Sequence, residues 1–230
     1  MFLFDLFNKN NAIFKAVKSN NVAQLHECIQ QGISVNYAKK NGMTPLMYAA
    51  QIGNLQMVQH LLGIGADANR TDKNNVNALA YAAIGGHLAI VEYLAPKTSD
   101  LNMALSEAIR KYHPQIVRYL VDKVPNLNVL SQYETTFLFD AIDNLEIVKI
   151  LVEAGADINC RGYDSEMGEI TPLMEAITLA NVEVVKYLVE NGADVNAEYK
   201  EGKVLDCTYF SDEPEFDEIR DYLISKGATY

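Results

Sequence analysis

The sequence predicts an all-α solenoid built from helix-turn-helix units, on three observations. A short segment recurs at a spacing near 33 residues, a second segment with helical periodicity follows it each time, and a glycine closes most units. Thr44-Pro45-Leu46-Met47-Tyr48-Ala49-Ala50 returns as Asn77-Ala78-Leu79-Ala80-Tyr81-Ala82-Ala83 and as Thr171-Pro172-Leu173-Met174-Glu175-Ala176-Ile177. Weaker copies begin at Asn11, Met103, Thr136 and Lys203, which makes seven units starting near 11, 44, 77, 103, 136, 171 and 203, with spacings of 33, 33, 26, 33, 35 and 32.

The first segment of a unit opens on Thr-Pro. The threonine hydroxyl serves as an N-cap, and the proline stands at the first helical position, where its missing N–H has no intrahelical partner to lose. The Ala-Ala pair is small enough to let neighbouring helices come close. In the second segment Leu55, Val58, Leu61 and Leu62 fall on one face of a helix, and Val182, Val185, Leu188 and Val189 repeat that stripe. Gly65, Gly155, Gly192 and Gly227 follow the second helices, where a residue at positive φ terminates the turn.

These residues resemble the ankyrin repeat. The shared features are the T-P-L-x-x-A-A segment, the Gly86-His87 turn, the Ile147-Val148…Leu151 segment and the G-A-D-x-N ending at residues 65–69, 155–159 and 192–196. The resemblance covers residues 11–230. It implies antiparallel helix pairs joined by β-turn fingers and stacked so that the shorter first helices line a concave face, in a single domain; the apolar Phe2, Phe4 and Phe7 of residues 1–10 are expected to pack over the end of the first repeat. The histidine usual after T-P-L is absent, the matching positions being Met47, Ala80, Ser106, Phe139 and Met174.

Two irregularities stand out. In ordinary units seven residues separate the terminal Asn from the next helix, whereas Met103 follows Asn102 directly, so the finger at that junction is expected to be missing. Pro96 ends the helix before it, because proline removes a donor and disfavours helix in the preceding residue. Between Asn159 and Thr171 the chain is longer than usual, so residues 160–170 form an enlarged finger, and Tyr163, Asp164 and Glu166 on it are candidate contact residues.

Charge is unevenly distributed. The net charge of −11 divides into +3 over residues 1–115 and −14 over residues 116–230. Nucleic acid is an unsuitable ligand for such a surface, since its affinity rests on phosphate neutralisation by Lys and Arg. One repeat position reads Tyr48, Tyr81, Glu107, Asp140 and Glu175 along successive units, and Asp143 stands just after the alanine-pair position of the fifth. In the resembling family that position lies on or near the concave side. The row is read as a docking stripe for a basic protein partner, with the carboxylates Glu107, Asp140, Asp143 and Glu175 beside the aromatic anchors Tyr48 and Tyr81; a merely solvated face is the alternative.

Catalysis would require paired carboxyls, or a nucleophile and its base, converging in a pocket. No Ser/His/Asp or Cys/His motif is found, and His26, His60, His87 and His113 show no metal-ligand spacing. No catalytic residue, metal or cofactor is therefore assigned. Three cysteines leave one over from any disulfide pairing and point to a reducing cytoplasm. The start Met1-Phe2-Leu3-Phe4-Asp5 is broken by an acid and lacks a basic leader, and no apolar run reaches the roughly 20 residues of a membrane span. The expected function is a non-enzymatic, monomeric protein-binding module. Its alternative is a dedicated inhibitor, resembling the ankyrin-like immunity proteins that accompany bacterial toxins; an enzyme is the third and most distant reading.

Overall fold

A computed structural model describes residues 11–130, 135–164, 167–209, 211 and 213–230, with the side chain of Asp164 excluded. The N-terminal extension, residues 1–10, and Glu166 of the enlarged finger lie outside the described residues. The chain divides into two compact units, residues 1–119 and 120–230.

In the first unit, helices α1 (residues 11–18) and α2 (Val22–Gln30) are followed by α3 (Pro45–Gln51), α4 (Leu55–Gly63), α5 (Ala78–Ile84), α6 (Leu88–Leu94) and α7 (Asn102–Arg110). Helix α8 (Pro114–Val121) carries the boundary. The short first helices α3, α5 and α7 pack side by side. Helix α5 is buried through Ala78, Leu79, Ala80, Ala82 and Ala83, and its methyl side chains permit that close approach on both sides. The second helices present one apolar stripe each, Met57, Val58 and Leu61 in α4 and Ile90, Val91 and Leu94 in α6.

In the second unit, α9 (Phe137–Asp140), α10 (Leu145–Glu153), α11 (Pro172–Thr178), α12 (Val182–Glu190) and α13 (Pro214–Ser225) alternate with two hairpins. The hairpins are β1 (Gly162–Asp164) with β2 (Gly168–Ile170) and β3 (Glu198–Tyr199) with β4 (Gly202–Lys203), both antiparallel. Helix α9 has only four residues because the chain before α10 is two residues shorter than in the regular units. Lys203, expected to open a first helix, ends β4 instead, and the segment after it, Val204–Tyr209, is a 3-10 helix.

The junction ahead of α7 has no hairpin. Pro96 lies in a 3-10 turn, Ala95–Lys97, and the chain enters α7 through Leu101 at the N-cap. The enlarged finger is the β1–β2 hairpin. It sits close against α9: a Cβ on Gly162 would meet the Phe139 ring at 2.6 Å, so any larger residue there would have to displace that ring. Gly42 is constrained similarly in the first unit, at φ +91° with a Cβ position 2.7 Å from the Asp72 backbone.

Asparagines hold successive units together. Asn36 Oδ1 accepts from Asp67 N–H at 2.9 Å and its amide donates to the Gly65 carbonyl at 3.2 Å. Asn159 repeats the pair of bonds with Asp194 and Gly192, and Asn196 with Thr229 and Gly227. The terminal Asn of the G-A-D-x-N ending thus satisfies a backbone donor and an acceptor one unit further along. At α3 and α11 the missing histidine is replaced by methionine sulfur. Thr44 N–H donates to Met47 Sδ at 3.4 Å and Thr171 N–H to Met174 Sδ at 3.5 Å, while each threonine hydroxyl accepts from the methionine N–H at 3.3 Å.

Candidate functional site

The row of residues at one repeat position meets different environments along the chain. In the first unit, half-buried Tyr48 lies on α3 with its ring 6.0 Å from that of Phe14, and Lys39 Nζ caps both rings, at 5.4 Å and 4.0 Å from their centroids. Tyr81 on α5 is half-buried, and its hydroxyl donates to Asp72 Oδ2 at 2.8 Å. Burial first, and then the Asp72 carboxylate, push the phenol up to about 12. Asp72 is itself fixed, since its Oδ1 accepts from the N–H groups of Asn74 and Val76 at 2.9 Å. Tyr81 is therefore a strut between its helix and the turn at residues 72–76, and only part of its ring is open to a partner.

Glu107 departs further from expectation. It is 6% exposed within α7, engaged with the protein itself, and offers almost no carboxylate surface to a docking molecule. The repeat position identifies the column but not the depth: Tyr48 and Tyr81 in the same column are half-buried, Glu107 buried.

In the second unit, Asp140 ends α9 half-buried, its Oδ1 accepting from Thr135 Oγ1 at 2.6 Å. Asp143 is exposed in the turn before α10, and Glu175 is half-buried on α11. Tyr163 on β1 is 71% exposed. Asp164 occupies the last position of β1. Beside Tyr163, the two hairpins enclose a surface cleft of about 470 Å³ whose walls include Arg161, Glu169, Glu198, Tyr199 and Lys200. Arg161 Nη1 donates to the Glu198 carbonyl at 2.7 Å and ties one hairpin to the next.

Two of the four histidines are structural. His87 Nε2 lies 3.1 Å from the Gln51 carbonyl and His113 Nε2 lies 3.3 Å from that of Ile84, each closing the end of the preceding first helix. His26 and His60, which looked scattered along the sequence, are brought together, Nε2 to Nε2 at 3.0 Å. Their separation of 34 residues, one more than the repeat, was the signal available for this pairing. Cys28, Cys160 and Cys207 are buried and free; burial raises all three thiols, that of Cys207 to about 12. Among the described residues, no group of three or more His, Cys, Asp or Glu side chains could hold a metal ion, and no helix is long and apolar enough to cross a membrane.

Comparisons with known proteins agree with this architecture. A family model for ankyrin repeats in three copies matches residues 13–104 and again 98–162, and a single-repeat model matches residues 169–200. The ankyrin repeat, SAM and basic leucine zipper domain-containing protein 1 of Atelerix albiventris is 41% identical over 51 residues, 22% of this chain and 11% of that protein. The same protein of Microcebus murinus is 39% identical over 51 residues, so the chain spans about a tenth of the length of these relatives. Among solved structures, the human ASB11 ankyrin repeat domain superposes with a TM-score of 0.76 at 22% identity, covering 95% of this chain and 98% of that one. The ankyrin repeat domain of Bcl-3 gives a TM-score of 0.76 at 19% identity, covering 90% and 96%. The likeness to both structures is one of fold. With family models matching residues 13–162 and 169–200, the chain belongs to the ankyrin-repeat family.

Proposed function

We propose that this chain, as ankyrin-repeat proteins generally do, works by binding a partner protein, and that the partner is basic. The observation that carries this reading is the acidity of residues 116–230, net −14, with exposed Asp143 in the turn after α9 and the half-buried Asp140 and Glu175 on first helices. Tyr163, on the enlarged finger, supplies an exposed ring of the kind that anchors interfaces with little loss of side-chain entropy. Tyr48 remains a partly open aromatic in the first unit. Glu107 is omitted because it is buried, and Tyr81 contributes only its ring edge.

The protein acts without catalysis, as a monomer in the cytoplasm, where its three free thiols stay reduced. A narrower form of the same reading is a dedicated inhibitor whose acidic face covers a basic catalytic cleft. Pull-down from the native host with mass spectrometry separates the two: one stoichiometric partner that loses activity on binding supports inhibition, and many partners support a scaffold. With a partner in hand, Asp143→Lys with Glu175→Lys is expected to slow association and flatten its salt dependence, because complementary fields act over roughly 10 Å at 0.1 M salt. A double variant that associates as fast as the unmodified protein, with the same salt dependence, overturns the acidic docking face.

A further inference from the structure

The His26–His60 pair sits outside the proposed docking residues, on the second helices α2 and α4. His26 is exposed and His60 half-buried, and the contact between them lies at the surface. The same helix position carries aromatic residues elsewhere. Tyr119 stands at the position of His60 in α8, and its hydroxyl reaches the carbonyl of Glu92 in the preceding second helix at 3.4 Å. In α13, Tyr222 does the same to the carbonyl of Lys186 at 3.4 Å. His60 reaches towards the corresponding residue of its own preceding helix and there meets a side chain, His26, instead of a carbonyl. A backbone-sealing contact is thereby replaced by two imidazole nitrogens in apposition.

Their geometry points to a surface site for a divalent first-row transition cation of octahedral or tetragonal preference, held by the two Nε2 atoms with water at the remaining positions. Metal–imidazole bonds are about 2.0–2.1 Å long, so two donors 3.0 Å apart subtend an angle of roughly 91–97° at a shared cation. That is the cis angle of an octahedral or square-planar field. A tetrahedral ion needs the nitrogens about 3.3–3.4 Å apart at the same bond length, a few tenths of an ångström more than in the metal-free, hydrogen-bonded pair, so the cis arrangement of Ni²⁺ or Cu²⁺ requires the smaller displacement. The ring centroids lie 4.9 Å apart with their planes at 86°, an edge-on arrangement of the two imidazoles. His60 also lies in the last turn of the nine-residue α4, where the helix carbonyls favour positive charge. When the pair is metal-free one ring donates its Nε2 proton to the other; on coordination that ring carries its proton on Nδ1, and no bond to carbon changes.

The test uses the full chain and Ni²⁺ and Zn²⁺ as probes. Isothermal titration is expected to show one Ni²⁺ bound more tightly than Zn²⁺, with affinity falling at least tenfold in His60→Gln and in His26→Gln. Both positions are on the helix surface, and circular dichroism verifies that the variants fold. In the unmodified protein, paramagnetic Ni²⁺ should broaden the imidazole resonances of His26 and His60 before those of His87 and His113. Equal Ni²⁺ affinity in the variants, Zn²⁺ binding more tightly than Ni²⁺, or broadening that begins at the acidic residues of the second unit overturns the proposal.

Discussion

The phenol of Tyr81 and the carboxylate of Asp72, nine residues apart, meet at 2.8 Å and join helix α5 to the turn that precedes it. Asp72 is 8% exposed and accepts from two backbone N–H groups as well, so this one carboxylate organises the whole of residues 72–76. Tyr81→Phe keeps the ring and removes the donor. A hydrogen bond to a charged acceptor contributes about 1.5–3 kcal/mol, and the loss should fall at the lower end because Tyr81 is partly exposed. Denaturant unfolding should show that decrease, and hydrogen exchange at Asn74 and Val76 should quicken. Unaltered exchange at those two amides would mean that Asp72 holds the turn without the tyrosine.

Alkaline pH should destabilise the second unit through Cys207. Burial, with a smaller contribution from Asp206, raises this thiol from 9.0 to about 12. Above pH 9 the unfolded chain releases the proton while the folded chain keeps it, so the folded state binds more protons and its stability falls as pH rises. The contribution is intact below about pH 9 and is lost progressively as pH rises towards 12. Urea unfolding at pH 8, 9.5 and 11 should show this decline, and Cys207→Ala should make it shallower. Equal slopes in the two proteins would assign the decline to other groups.

Legibility in the sequence followed whatever repeats. The Thr-Pro caps, the alanine pairs of α5, the Pro96 stop before α7 and the long hairpin at residues 162–170 all depend on local rules or on counting against neighbouring units. Contacts that do not repeat were invisible. Glu107 shares a column with Tyr48 and Tyr81, yet it is buried where they are half-buried, a difference no repeat count encodes. The Tyr81–Asp72 bond depends on the path of one turn, and His26 meets His60 only because the first sits one position away from its counterpart in the repeat.

Methionine recurs after Thr-Pro-Leu in two units, but its role as a cap acceptor became visible only in the structure, and it leads to a sharp stability test. Thr171 is 2% exposed, and its N–H points at Met174 Sδ, so removal of the sulfur leaves a buried donor. Met174→Leu nearly conserves volume, and a swap of that kind in a core usually costs less than about 1.5 kcal/mol. The stranded N–H adds about 1–3 kcal/mol, reduced here because a thioether is a weak acceptor to begin with. Met57→Leu provides the reference, since Met57 is also fully buried and lies in the middle of an apolar stripe. Met174→Leu should therefore be more destabilising than Met57→Leu by about 1 kcal/mol in urea unfolding, and Met47→Leu, which disturbs the matching bond to Thr44, should resemble it. Met174→Leu and Met57→Leu indistinguishable in midpoint would show that the Thr171 N–H gains nothing from the sulfur.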